Sequence, residues 1–313
     1  PEYYADLYRR YSTYCRDYDG NHLFKIASGA SDYDYNWTEV LMKNVGHRMA
    51  GVSLHYYTVM GWSGSKGSAT QFTDDDYYWT MGKCLEIEPV LKKHMAIMDK
   101  YDPKKQIGLM VDEWGTWWDE EPGTVRGHLY QQNTLRDAFV ASLTLDLETV
   151  FHKYTDRIKM TNIAQIANVL QSMILTKDDK MVLTPTYHVF EMYKVHQDAT
   201  YLPLELNCER KIVRDDRIVP MVSATASRDA NGLIHISLSN VDLQESQEIE
   251  LNLGEVKAKS VTGRILTANN IGDYNSFEKP NVVAPKEFTG AKVNKGSLKV
   301  TLPAKSIVVL EVK

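Results

Sequence analysis

Hydrophobic and polar positions follow two different rhythms along this chain, and the change falls near residue 200. In the first part, helical and buried-strand patterns alternate. Tyr4, Leu7, Tyr8, Tyr11 and Cys15 recur at helical spacing with Asp6, Arg9 and Arg10 opposite, which predicts a helix over residues 2–15. A short apolar run at 23–27 precedes a helical stretch at 37–45. Residues 51–57 then read as a strand with Val52, Leu54 and Tyr56 on one face. The Gly, Ser and Thr content of residues 61–73 marks a loop, and a helix is expected over 75–101, interrupted at Pro89. Residues 107–111 form an unbroken apolar run after the Asp102-Pro103 turn signal, the cleanest buried strand in the chain. Helices are predicted over 129–151 and 186–196, with a mixed strand-like run at 157–166 between them.

Four strands near residues 24, 53, 109 and 160, each followed by helix, predict a parallel sheet covered by helices. Four such units suit a small doubly wound sheet or half of an eight-stranded barrel. No glycine-rich phosphate loop follows any strand, which disfavours dinucleotide binding. After residue 202 the period becomes two. Ile234, Ile236 and Leu238 alternate with His235, Ser237 and Ser239, and similar alternation recurs at 249–253 and 298–302. Asn231-Gly232 is the strongest hairpin signal. This half reads as an antiparallel β-sandwich of the last 110 residues or so. The expected organisation is residues 1–200 as a strand–helix domain and 201–313 as the sandwich.

Composition narrows the function classes. A formal charge of −5 without a long basic run disfavours nucleic-acid binding. No run of apolar residues is long enough for a membrane-spanning helix. The 19 Tyr and 6 Trp against 7 Phe lean towards polar ligands with flat apolar faces, such as sugars. Cys15, Cys84 and Cys208 lack metal-site or disulfide spacing and are expected to be free, mostly buried thiols, with no metal centre. The chain opens on Pro1, so it reads as cut from something longer, and a targeting signal is not legible.

Ligands of parallel sheets meet the carboxyl ends of the strands, so chemistry is sought there. The strand at 107–111 runs into Asp112-Glu113-Trp114-Gly115-Thr116-Trp117-Trp118. Two carboxylates at a buried strand end suit a nucleophile or acid/base, with tryptophans to stack on a sugar. The alternative is a solvated loop over core aromatics. His55 and one of Tyr56 and Tyr57 end the preceding strand and can hold a carboxylate ionised; a satisfied histidine and a core tyrosine are the alternative. Trp62 lies in a loop that reads as either a mobile substrate rim or plain surface. Asn162, Gln165 and Asn168 suit either hydroxyl binding or capping, and Asp74–Asp76 reads as a helix N-terminus.

Val111-Asp112-Glu113-Trp114-Gly115-Thr116-Trp117 resembles the nucleophile motif of α-L-arabinofuranosidases of glycoside hydrolase family 51. Ser53-Leu54-His55-Tyr56-Tyr57 is similar to that family's strand-six motif. His152-Lys153, Asp156-Arg157-Ile158-Lys159-Met160 and Ala164-Gln165-Ile166-Ala167-Asn168-Val169 resemble its last barrel strand, and residues 129–138 match in kind. The resemblance implies an eight-stranded β/α barrel followed by a jelly-roll-type β-sandwich. It implies cofactor-free, retaining release of terminal arabinofuranosyl units from arabinan or arabinoxylan. By motif, Glu113 takes the nucleophile role. Tyr57, or Tyr56 since the motif varies in length, takes that of its hydrogen-bond donor, and His55 lies beside it. Trp117 resembles the tryptophan that lines the family's sugar pocket, and Gln165 resembles a glutamine that contacts substrate. The family's acid/base glutamate sits in a Gly-Asn-Glu motif that is absent from these 313 residues. The resemblance therefore implies the second half of the barrel, strands five to eight, plus the sandwich. The missing half is expected as a separate chain, and self-association of the exposed sheet edges is also expected. Another retaining glycosidase and a non-catalytic carbohydrate-binding fragment using Trp62 and Trp117 are the competing readings. The compartment is open between cytoplasm and periplasm.

Overall fold

The computed structural model describes every residue except 126, 147–153, 215 and 255. The helical part contains α1 (Glu2–Tyr11), β1 (Ile26–Ser31), α2 (Tyr35–Val45), β2 (Gly51–Thr58), α3 (Asp74–Leu85), α4 (Ile87–Tyr101), β3 (Gly108–Thr116), α5 (Leu135–Asp146) and β4 (Ile158–Ile163). A hairpin of β5 (Ile174–Lys177) and β6 (Lys180–Leu183) and then α6 (Pro185–Tyr193) follow. Residues His152 and Lys153, and the end of the helix expected over 129–151, lie outside the described residues.

The chain forms two compact units. One comprises Pro1–Tyr57, Glu86–Gly115 and Tyr154–Ile163; the other comprises Thr58–Leu85, Thr116–Lys153 and Ala164–Lys313. Residues 164–200 are thus grouped with the sandwich rather than with the first strands.

The first unit is organised by a four-stranded sheet in the order β1-β2-β3-β4, with β1/β2 and β3/β4 parallel. Seven of the eight residues of β2 are buried, so both of its faces are covered, as expected of an inner strand between helices. The sequence pattern, which put only Val52, Leu54 and Tyr56 inwards, understated this. Two irregularities shape the carboxyl ends. Between Ala27 and Ala30, β1 takes three steps against two on β2, and between Val111 and Trp114, β3 does the same against β4. Each extra residue is a bulge, which re-aims the side chains beside it. At the first bulge Gly29 passes so close to β2 that a Cβ would lie 1.6 Å from the Ser53 carbonyl oxygen. After the second, Gly115 takes φ +141°, a region that favours glycine, and β3 continues to Thr116. At the other end of β3, the buried Arg157 binds Asp102 Oδ2 at 2.7 Å and the Ile107 carbonyl at 2.8 Å, and also pairs with Asp99.

Several expected boundaries move. The first strand begins at Ile26, not residue 23, because Leu23 and Phe24 are exposed. The helix expected over 75–101 breaks at Glu86 rather than Pro89. Pro89 sits in the first turn of α4, where its missing N–H costs no hydrogen bond. The first turn of α3 carries Asp74, Asp75 and Asp76, with Thr73 and Asp76 bonding reciprocally as a cap. The thiols are free, but only Cys84 is buried; Cys15 is exposed.

The second unit carries the β-sandwich, from β7 (Thr200–Tyr201), β8 (Lys211–Arg214), β9 (Arg217–Pro220), β10 (Val222–Arg228), β11 (Ile234–Asn240), β12 (Gln247–Leu251), β13 (Val261–Thr267), β14 (Lys286–Glu287), β15 (Ala291–Asn294), β16 (Ser297–Leu302) and β17 (Ser306–Val312). A six-stranded antiparallel sheet in the order β14-β13-β17-β11-β10-β7 faces a three-stranded one, β12-β16-β15. Ile234, Ile236, Leu238, Val308 and Leu310 meet Leu298, Val300 and Leu302 in the core between them. The Asn231-Gly232 turn pairs Arg228 with Ile234, with Gly232 at φ +84°. In β11 the polar alternates are buried too. Ser239 donates to Asp146 of α5 at 2.8 Å, and His196 bridges Ser227 and Ser237 at 2.7 Å each. The outer face of the sheet is thus covered by a hydrogen-bonded polar layer instead of water. Among the described residues, no helix is long and apolar enough to cross a membrane.

Candidate active site

The carboxyl ends of β2 and β3 bring His55, Tyr57, Asp112 and Glu113 together. The Tyr57 hydroxyl donates to Oε2 of Glu113 at 2.8 Å. His55 Nδ1 lies 3.3 Å from the same oxygen, and His55 Nε2 lies 3.3 Å from Oδ1 of Asp112. Adjacent residues of a regular strand point to opposite faces. The bulge between Val111 and Trp114 removes that constraint, so Asp112 and Glu113 both reach one imidazole. The trio is partly open, with side-chain exposures of 35% for His55, 28% for Asp112 and 39% for Glu113.

Electrostatics favour a neutral phenol and a cationic imidazole at this site. Burial raises the Tyr57 hydroxyl well above the ordinary tyrosine range, reinforced by its hydrogen bond to Glu113 and that group's charge. Tyr57 therefore remains a neutral donor. His55 is raised above its ordinary value, first by the Asp112 contact, against partial burial, and further by the charges of Glu113, Asp112 and Asp32. Of the two tyrosines the motif left open, Tyr57 makes the Glu113 contact, while Tyr56 is a core side chain at 2% exposure.

In the second unit, Trp62 is exposed and meets the half-buried Trp117 edge to face, with centroids 5.5 Å apart. Lys66 lies over the Trp117 ring at 5.6 Å. The loop bearing Trp62 is tied down. Asp119 accepts from the Lys66 N–H at 2.9 Å and from the Ser65 hydroxyl. Arg136 donates to the carbonyls of Ser68 and Ala69 at 3.1 Å each. Its guanidinium is stacked between Phe72 and Trp118 at 3.8 and 3.7 Å, and burial pushes its pKa down to about 10. Trp114 and Trp118 are core residues at 1% exposure, Trp118 donating to Asp137 at 2.8 Å. Gln165 is exposed in the segment after β4, where its carbonyl accepts from Met173 N–H. Asn168 is occupied structurally, bonding Thr176 through both ends of its amide. The pattern of residues 61–73 gave no hint of Arg136, whose helical spacing reads as an ordinary amphipathic position.

Comparison with known proteins places the whole chain among a group of relatives. The family described as alpha-L-arabinofuranosidase C-terminal domain matches residues 112–306. An intracellular exo-alpha-L-arabinofuranosidase of Bacteroides ovatus is 76% identical over 313 residues, covering 100% of this chain and 60% of that relative. The crystal structure of the GH51 arabinofuranosidase from Xanthomonas axonopodis pv. citri superposes with a TM-score of 0.95 at 46% identity, over 100% of this chain and 62% of that one. An alpha-L-arabinofuranosidase from Thermotoga maritima shares the fold at a TM-score of 0.81 and 22% identity, over 99% of this chain and 62% of its own. The chain spans about 60% of the length of the relatives it matches. With the matched segment running from Asp112 beside the candidate nucleophile to Ser306 in the last strand of the sandwich, the chain belongs to the alpha-L-arabinofuranosidase C-terminal domain family.

Proposed function

We propose that this chain is the nucleophile-bearing part of a retaining glycoside hydrolase that releases terminal α-L-arabinofuranosyl residues from arabinan- or arabinoxylan-type saccharides. The observation that carries this reading is Glu113, set at the half-buried, bulged stretch within an otherwise buried strand, with Tyr57 donating to it at 2.8 Å. With Tyr57 and His55 both on Oε2, Oε1 is the oxygen that attacks the anomeric carbon. The departing sugar oxygen then needs a proton from a second carboxyl about 5–5.5 Å from the first. The Gly-Asn-Glu acid/base motif is absent from the 313 residues, so that carboxyl comes from polypeptide outside this chain. The four strands β1–β4 are read as barrel strands five to eight, completed by the upstream half, with self-association as the competing way of covering their edges. Trp117 and Gln165 are assigned to the sugar pocket. The relative named as intracellular supports the cell interior over the periplasm as the compartment.

A mechanism-based 2-fluoro arabinofuranoside tests the assignment in the intact protein. Peptide mapping is expected to find the sugar on Glu113; label on Asp112, Glu120 or Glu121 overturns it. The pair of Trp62 and Trp117 favours a second reading, carbohydrate binding without turnover. Binding of arabinoxylan by an intact protein that neither hydrolyses aryl arabinofuranosides nor becomes labelled would select that reading.

A further inference from the structure

Asp112 has no part in the scheme above, yet its position is unusual. Its Oδ1 is closed to solvent and has no hydrogen bond of good geometry among the described residues, and His55 Nε2 stands 3.3 Å away. The other ring nitrogen of that histidine faces Oε2 of Glu113 at the same distance. One imidazole is therefore held between two carboxylates contributed by consecutive residues, an arrangement that the bulge in β3 makes geometrically accessible.

We propose that Asp112 is a positioning residue that acts through His55: it grips Nε2 of the imidazole and thereby presents Nδ1–H to Oε2 of Glu113. The logic follows from the two ring nitrogens. A neutral imidazole carries one proton and can donate to only one of the two carboxylates, leaving a lone pair against the other. Only the doubly protonated ring satisfies both. The groups facing it are Asp112 and Glu113 from β3 and Asp32 from the turn after β1, with the neutral Tyr57 reaching it through Glu113. Among the described residues these charged neighbours are carboxylates, and each favours the cation. Asp112 is the one that faces Nε2, and its loss releases the ring to turn or to deprotonate.

The consequence for turnover rests on the reading of Glu113 as nucleophile; the contact itself does not. The test is therefore spectroscopic first. Nitrogen-15 NMR of ring-labelled histidines in the intact protein follows the His55 signal, assigned by its loss in His55→Gln. Wild type is expected to titrate above the ordinary 6.5, with both ring nitrogens protonated below its midpoint. Asp112→Asn is expected to lower the midpoint by about one unit, and Glu113→Gln by less. A wild-type midpoint at or below 6.5, or one that Asp112→Asn leaves in place, overturns the proposal. If Asp112→Asn does not fold, the wild-type titration and ring protonation decide alone. In kinetics, Asp112→Asn is expected to lower kcat several-fold with KM little changed, the loss being greatest at pH values between the variant's and the wild type's His55 midpoints. Failure of the fluoro-sugar to label Glu113 removes the nucleophile reading and leaves the titration result standing. A normal label on Glu113 with an unshifted His55 removes only this proposal.

Discussion

The Tyr57 hydroxyl donates to Oε2 of Glu113 at 2.8 Å between two neighbouring strands, and burial holds the shared proton on tyrosine. Tyr57→Phe removes that donor while preserving the ring. Its expected effect is a fall in kcat/KM of about 10–10³ in the intact protein, the loss of one preorganised hydrogen bond. A wild-type rate on an aryl arabinofuranoside would reject this role.

Glu113→Gln is expected to abolish nearly all turnover while leaving the circular dichroism spectrum and melting temperature close to wild type. The side chain is partly exposed, so the amide needs no repacking. Retention of more than a small fraction of the activity would mean that another carboxylate attacks.

Arg157 lies at 1% exposure and ties Asp102, Asp99 and the Ile107 carbonyl together at the start of β3. Arg157→Met strands the buried Asp102 charge and is expected to cost about 3–5 kcal/mol, as for other broken buried pairs. Urea denaturation monitored by tryptophan fluorescence would read it.

Gly29→Ala is expected to destabilise β1 where it passes β2, because the methyl group would fall 1.6 Å from the backbone oxygen of Ser53. Backbone cannot yield as a side-chain tip can. The expected cost is at least the roughly 1–3 kcal/mol of ordinary overpacking. An unchanged denaturation midpoint for Gly29→Ala would contradict the tight approach of the two strands.

Stability is expected to fall as pH rises from about 4 to about 7. Burial raises the Asp146 carboxyl from 3.8 to about 7, against hydrogen bonds from Tyr193 and Ser239. The unfolded chain loses this proton first, so the contribution is fully present below 3.8 and is lost as pH passes through the folded value. The slope is up to about 1.4 kcal/mol per pH unit inside that window. Asp146→Asn should flatten this part of the profile; an equal slope in that variant would show that other groups carry it.

The elements that organise the site were legible because their signals are local. The run at 107–111 read as a buried strand, although β3 carries on through Asp112 and Glu113 to Thr116, and the motifs around His55 and Glu113 name their own residues. What was not legible depends on partners distant in sequence. The bulges at Gly29 and at Asp112-Glu113 arise from register against neighbouring strands, which no single-strand pattern encodes. The helix break at Glu86 was misplaced because proline is the louder signal, although its first-turn position makes it harmless. The hairpin of β5 and β6 is too short to show a period. The serines of β11 looked solvent-facing because alternation cannot distinguish water from a polar protein layer.

That polar layer has a consequence for how freely this sandwich can be transplanted. Ser227, Ser237 and Ser239 find their partners in His196 and Asp146, all of which precede residue 201. A module excised at that point would carry away the strands and abandon the groups that satisfy them, exposing a seam of orphaned hydroxyls. Recombination that moves the sandwich as an intact unit must therefore bring α5 and the turn after α6 along with it. In this fold the inheritable piece is larger than the sheet pair that the eye would cut out.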